Sequence, residues 1–282
     1  MNCRTDLAVE SISPYSLPDG VHLERRGKAF DITEIAIDTD DFIETIGKPR
    51  GRYVTLECSS LSRFSDDYEL MAEELAGELA RFIPEGDILV TGLGNNDITP
   101  DALGPQVVSK VLATRHLQDE LSADEEEFLT SLRRVSALAG GVLGQTGIES
   151  AELIRAVVGE LRPSGIIAVD ALACSDVSRL GTTIQLSDSG ISPGSGVSNS
   201  RRELSAKVYG VPVIAVGVPT VVDMHTIVRG FTGREPETSL PNMIVTPRDI
   251  DRLIERASRL IGFGLNLALQ PSLTYDDVRG LF

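Results

Sequence analysis

The chain has 282 residues, 41% of them hydrophobic, and a formal net charge of -16. That length buries a substantial core, and the acidic balance argues against a general nucleic-acid-binding surface. The scattered Cys3, Cys58 and Cys174 give no zinc framework, and no signal-type N-terminus or membrane-length apolar run is present, so a cytoplasmic protein off the membrane is expected.

Residues Met1 to Gly51 are irregular in pattern, apart from Asp31 to Ile37, which reads as an edge strand. Tyr53 to Cys58 reads as a second strand. Ser65 is a good N-cap for a helix running to about Phe82, which Pro84 and Gly86 end. Asp87 to Thr91 has the apolar run of a buried parallel strand and breaks at Gly92 and Gly94. A polar loop, Asn95 to Thr99, leads to Pro100 and Asp101 at a helix start, before an apolar-periodic segment from Val107 to Leu117.

Farther on, Asp119 to Glu127 is a charge-rich connection, and Val135 to Val142 a strand entering a glycine-rich loop at Gly144 to Gly147. Ile148 to Leu161 carries helical spacing and is stopped by Pro163 and Gly165. Ile166 to Asp170 is an apolar strand ending in an acid, and Thr182 to Leu186 another strand. Ser187 to Ser200 is a Gly/Ser/Pro loop too long for a simple connector. Val211 to Val218 is a strand closed by Pro219. Pro247 and Asp249 open a last amphipathic helix through Leu267, followed by a tail. The alternation predicts an α/β fold: a single doubly wound domain over residues 1–282 with a mainly parallel sheet.

Ligands of open α/β sheets bind beyond the carboxyl ends of the strands, where both Asp101 and Asp170 fall. Two neighbouring carboxyl groups do not both ionise easily. One can activate water while the other protonates a leaving nitrogen, as amide hydrolysis needs. The alternative is structural: Asp101 caps its helix and Asp170 bonds the next loop. Gly92-Leu93-Gly94 is not a dinucleotide fingerprint, because Asp97 occupies the third glycine's place. Gly194-Ser195-Gly196 lacks the glycine of a nucleophile elbow, and Cys174 has no partner histidine in the sequence pattern. His225, after Asp223, is a possible metal ligand beside the two acids. Arg201 and Arg202 can clamp an acidic substrate side chain or simply be solvated.

Several collinear stretches resemble the germination protease, or spore protease, family. They are RTDLAVE at Arg4 to Glu10, GRYVTLE at Gly51 to Glu57, GLGN and TPDALGP between Gly92 and Pro105, and GQTGIE at Gly144 to Glu149. AVDALA at Ala168 to Ala173, SDSGISPGSGVSN at Ser187 to Asn199 and VPVIAVGVPTVVD at Val211 to Asp223 complete them. The resemblance implies an endopeptidase that begins degradation of small acid-soluble spore proteins at germination. It also implies a fold similar to the hydrogenase maturation endopeptidases, a homotetramer, and a location in the forespore or spore-core cytoplasm. Its catalytic pair falls on Asp101 and Asp170.

The resemblance further implies a precursor that processes itself, here between Asp6 and Leu7, with residues 1–6 as a short pro-segment. Gly92, Gly94 and Asn95 are expected to shape the crevice, and Ser187, Asp188 and Ser189, with Arg201 and Arg202, to contact substrate. No cofactor, direct nucleic-acid contact or membrane contact is expected. Two alternatives stand beside this reading: a divalent-metal endopeptidase using Asp101, Asp170 and His225, and a non-catalytic protein that binds a cation or basic peptide. The stretch after Asp223 is short for the family, as is the segment before the cut.

Overall fold

The computed structural model describes residues 5–13, 17–59, 61–63, 67–119, 131–191, 203–234 and 242–282. Its strands are β1 (Val21–Arg26), β2 (Asp31–Ile37), β3 (Gly51–Glu57), β4 (Ile88–Gly92), β5 (Val135–Ala139), β6 (Gly165–Ala173), β7 (Thr183–Ser187), β8 (Val213–Asp223) and β9 (Ile244–Val245). They form one mixed sheet in the order β1-β2-β3-β7-β8-β6-β4-β5, with β9 paired to β8. The longer helices are α1 (Tyr68–Ala80), α2 (Leu103–Val108), α3 (Ser150–Leu161), α4 (Met224–Thr232), α5 (Ile250–Leu269) and α6 (Tyr275–Leu281). Among the described residues no helix is long and apolar enough to cross a membrane.

The α/β architecture is the one expected, and its parallel half, β8-β6-β4-β5, comprises the apolar strands read from sequence. The other half, β1-β2-β3-β7, is antiparallel. Asp31–Ile37 is therefore an interior strand, because the half-exposed β1 covers its outer side. Alternating charges in VHLERR weaken the apolar signal of β1.

Several boundaries also differ, among them β6, which runs on to Ala173 instead of ending at Asp170, and β5, which ends at Ala139 instead of Val142. Pro219 does not close β8; it lies within the strand beside the register shift at Leu172/Ala173, where a missing N–H is tolerated. The expected helix from Val107 to Leu117 is instead the short α2 and a 3-10 turn at Arg115–Asp119. The tail is α6, whose Thr274 and Asp277 form a reciprocal capping box. Ser65 and most of Asp119 to Glu127 lie outside the described residues.

Strand alternation divides the core between two faces. Ile88, Val90, Ile167, Val169, Ile184, Leu186, Ile214, Val216 and Val218 pack under α1, α2 and α5. Leu89, Ile166, Ala168 and Val213 pack on the opposite face against Ala151 and Ile154 of α3. Helix α3 does not extend over the antiparallel half. There the N-terminal segment lies on the sheet, with Ala8 and Val9 against Ile35, Ile37 and Tyr53.

Candidate functional site

Strand β4 leads to β5 on one side, and β6 leads to β7 and then β8 on the other. Their shared carboxyl end is consequently the switch point of the parallel half, the place where open α/β sheets bind ligands. The chain leaves β4 at Gly92 and folds back through the 3-10 turn Thr99–Asp101 into α2. Three glycines allow that return. A Cβ on Gly92 would lie 2.2 Å from the Gly104 carbonyl oxygen, and one on Gly94, at φ +108, 2.1 Å from that of Asp101. A Cβ on Gly104 would meet the Leu93 and Val169 carbonyl oxygens at 2.3 and 2.5 Å.

Leu93 N donates to Val169 O at 2.8 Å, extending β4 against β6, and Thr220 Oγ1 of β8 donates to Pro100 O at 2.8 Å. The turn carrying Asp101 is thus pinned to all three central strands. The Asp101 carboxylate does not cap α2. Its Oδ2 accepts from Asn95 N at 2.8 Å, and α2 has no side-chain cap. Asn95 in turn holds the loop, because its Oδ1 accepts from Asp97 N at 2.9 Å and from Gln145 Nε2 at 2.8 Å.

Asp170 lies inside β6, only 5% exposed, and its Oδ1 accepts from Ala171 N at 2.9 Å. In register it pairs with Gly217 of β8, which pairs with Gln185 of β7. All three positions face away from the α1/α5 core, by alternation with Val169, Val216 and Leu186. A cavity of about 190 Å³ lies along this row, lined by Gln185, Gly217, Leu172, Lys48, Ser189 and Asp6 among others. Gly217 supplies no side chain, and Leu172 leans into the space above it.

The N-terminal segment runs beside this row. Asp6 N donates to Ala173 O at 3.0 Å, and Ala173 N donates to Asp6 Oδ2 at 2.8 Å. Leu7 is fully buried against Leu172, Cys174 and Val222. Burial, reinforced by Glu10 and Asp176, pushes the Cys174 thiol up to about 12, which disfavours the thiolate.

The other expected residues divide. Ser189 lines the cavity, with its backbone N–H on Ser187 Oγ at 3.1 Å. Asp188 turns away to accept from Arg52 N at 2.7 Å. The loop from Ser187 starts at the amino end of β8, not at the carboxyl ends, because β7 runs antiparallel to β8. Residues 192–202, with Arg201 and Arg202, lie outside the described residues. His225 begins α4, whose N-cap Asp223 accepts from Thr226 N at 2.9 Å and from Asn242 Nδ2 at 3.0 Å. Among the described residues no three His, Cys, Asp or Glu side chains are grouped as metal ligands, so Asp101, Asp170 and His225 do not form such a set. Sequence reasoning missed Lys48, Gln185 and Thr220. The polar Gln185 in the apolar run TIQLS was the signal available.

The family described as Germination protease matches residues 11–231, most of the chain. The chain belongs to the germination protease family. It is 39% identical over 321 aligned positions to the germination protease of Caldanaerobacter subterraneus subsp. tengcongensis, covering 100% of this chain and 98% of that relative. Against that of Clostridium acetobutylicum it is 37% identical, with 98% and 97% covered. Against that of Priestia megaterium it is 44% identical over 244 positions, with 79% of this chain and 64% of the relative covered. The alignment of 321 positions exceeds the 282 residues of this chain, so the Caldanaerobacter relative carries residues that this chain lacks. Among solved structures, a [NiFe] hydrogenase maturation protease from Thermococcus kodakarensis is 18% identical over 67% of this chain and 98% of its own, with a TM-score of 0.37. Membership in the germination protease family makes this chain an endopeptidase of spore germination.

Proposed function

We propose that the chain hydrolyses small acid-soluble spore proteins after an acidic residue, with Asp101 and Asp170 as its catalytic pair and without a cofactor. It is made as a precursor that removes residues 1–6 by the same chemistry, and it works as a homotetramer in the spore-core cytoplasm. One observation carries the reading. Asp170 on β6 and the turn of Asp101 after β4 follow from the carboxyl-side halves of two paired strands, and the segment Thr5-Asp6-Leu7-Ala8-Val9-Glu10, whose sequence resembles the substrate site, bonds the end of β6 at Ala173.

The chemistry follows from one ionised and one protonated carboxyl group. The carboxylate takes a proton from water as the water oxygen attacks the carbonyl carbon, and the π electrons move to the carbonyl oxygen. The protonated partner gives its proton to the amide nitrogen as the C–N bond breaks. The products are a new carboxyl group and a new amine. The two aspartates have exchanged protonation states, and a proton returned through solvent resets them.

The test is cleavage of a peptide containing Thr-Glu-Ile-Ala-Ser-Glu, with products identified by mass. Cleavage after the first Glu that Asp101→Asn or Asp170→Asn abolishes, and that chelator leaves unchanged, is the expected result. Loss on chelation with recovery on adding metal would make it a metallopeptidase. Binding without cleavage would make it a binding protein.

A further inference from the structure

The scissile bond of the proposed processing site is Asp6–Leu7, and its carbonyl oxygen is held by two side chains. Lys48 Nζ donates to Asp6 O at 2.8 Å, and Gln185 Nε2 donates to the same oxygen at 2.9 Å. The other end of the Gln185 amide accepts from Ala8 N at 2.7 Å. One side chain therefore brackets the bond, contacting the carbonyl before it and the N–H two residues later, as a neighbouring β-strand would. Gln185 is itself buried, at 8% exposure, and shares its cross-strand row with Gly217 and Asp170. Two strand spacings place the Cα atoms of Gln185 and Asp170 roughly 10 Å apart, with the side-chain-free Gly217 between them.

The segment is gripped at both flanks. The Asp6 carboxylate accepts from Ala173 N, and Leu7 fills the apolar space beside Leu172 and Val222. Glu10 Oε2 accepts from Ser175 N and Ser175 Oγ at 2.7 and 2.6 Å, and its Oε1 accepts from Asp176 N at 3.0 Å. The acid before the bond, the apolar residue after it and the glutamate four residues beyond the acid each have a built receptor on the β6 extension. These are the positions that the substrate-like sequence shares with the test peptide.

Resting on the peptidase reading above, we infer that Thr5 to Glu10 lies in the substrate channel as a self-substrate. We infer too that Lys48 and Gln185 are the donors that stabilise the oxyanion formed at the carbonyl before the cut. When water attacks, the π electrons collect on the oxygen facing these donors, and an ammonium and an amide already in place stabilise that charge without reorganisation. Both residues also bind ground-state backbone, Gln185 through Ala8 N and Lys48 through Thr5 O at 3.3 Å. Loss of either donor is therefore expected to lower kcat and to weaken binding of the peptide.

The experiment uses chain beginning at Leu7, with the same peptide, and compares wild type, Lys48→Met, Lys48→Arg, Gln185→Leu and Asp170→Asn. Loss of one oxyanion donor lowers kcat on the order of 10²- to 10³-fold. Lys48→Met is expected to lose kcat and to raise KM, and Lys48→Arg to recover part of the kcat. Gln185→Leu is expected to lose kcat and to raise KM. Replacing the last Glu of the peptide by Gln is expected to raise KM alone. Thermal melting of each variant separates misfolding from lost chemistry, and the Arg rescue keeps the test decisive if Lys48→Met is unstable. Wild type that cleaves while Lys48→Met and Gln185→Leu match its kcat would overturn the inference and leave the peptidase reading intact. Wild type that does not cleave would overturn the peptidase reading and, with it, the inference.

Discussion

The carboxyl groups of Asp101 and Asp170 are set by different devices. Asp101 is fixed by its turn and by Asn95 N, whereas Asp170 is fixed by its strand. Because the proposed reaction needs both, Asp101→Asn and Asp170→Asn should each lower kcat by at least about 10³-fold, near the upper end of general acid–base contributions. Their melting temperatures should stay near wild type. Lys48 adds a pH signature. Enclosure by protein lowers its pKa below the ordinary 10.5, against the opposing pull of Asp6 and Glu10. A donor that must be protonated is active below its folded pKa and lost above it, so kcat should fall as pH rises through a value under 10.5. In Lys48→Arg that alkaline limb should move up beyond the accessible range, which a pH–rate profile checks. Folding carries the opposite sign: the depressed pKa penalises the charged form, and this cost fades as pH rises above the folded pKa.

The elements near the site tolerate little added volume. A methyl group on Gly104 would strike backbone atoms of both Leu93 and Val169, neither of which can rotate away. Gly104→Ala should cost about 1–3 kcal/mol of stability and displace the Asp101 turn, lowering kcat more than thermal stability alone would explain. A second group of elements is joined by charge. Glu34 of β2 and Glu78 of α1, both 8% exposed, share Arg26 of β1 and Arg81, and Arg52 of β3 adds a bond to Glu34 at 2.9 Å. Burial raises both carboxyl pKa values, but the arginine hydrogen bonds outweigh it, and the net direction is down from 4.5. The stability they contribute is present above the unfolded carboxylate range and lost as pH falls below about 4.5 through the folded values. Glu34→Gln should cost about 1–3 kcal/mol at neutral pH, because Arg26 and Arg81 keep Glu78, and should flatten the acid limb of a melting-temperature-against-pH curve.

Across the whole molecule, what was legible in the sequence was what repeats along the chain. The unbroken apolar runs at Ile88, Ile166 and Val213 announced parallel strands buried on both faces, and an acid after one of them and within another, Asp101 and Asp170, pointed to the switch point. Charged β1 and the antiparallel half were not legible in the same way, because their burial depends on partners distant in sequence. Pro219 misled for a related reason, since only the register shift beside it explains its place inside a strand. Lys48 and Gln185 meet across 137 residues at one carbonyl, and no local pattern encodes that meeting. The substrate-like sequence at the N-terminus was visible, whereas its position along β6 came only from the fold.

The central claim is that one site, built on Asp101 and Asp170, cuts peptide bonds and has the chain's own Asp6–Leu7 bond in reach. The most direct measurement is intact mass with N-terminal sequencing of purified full-length chain over time, for wild type, Asp101→Asn and Asp170→Asn. The account predicts wild type that comes to begin at Leu7 and two variants that keep residues 1–6 throughout. Equal processing in either variant, or a wild-type cut at any other bond, would contradict it.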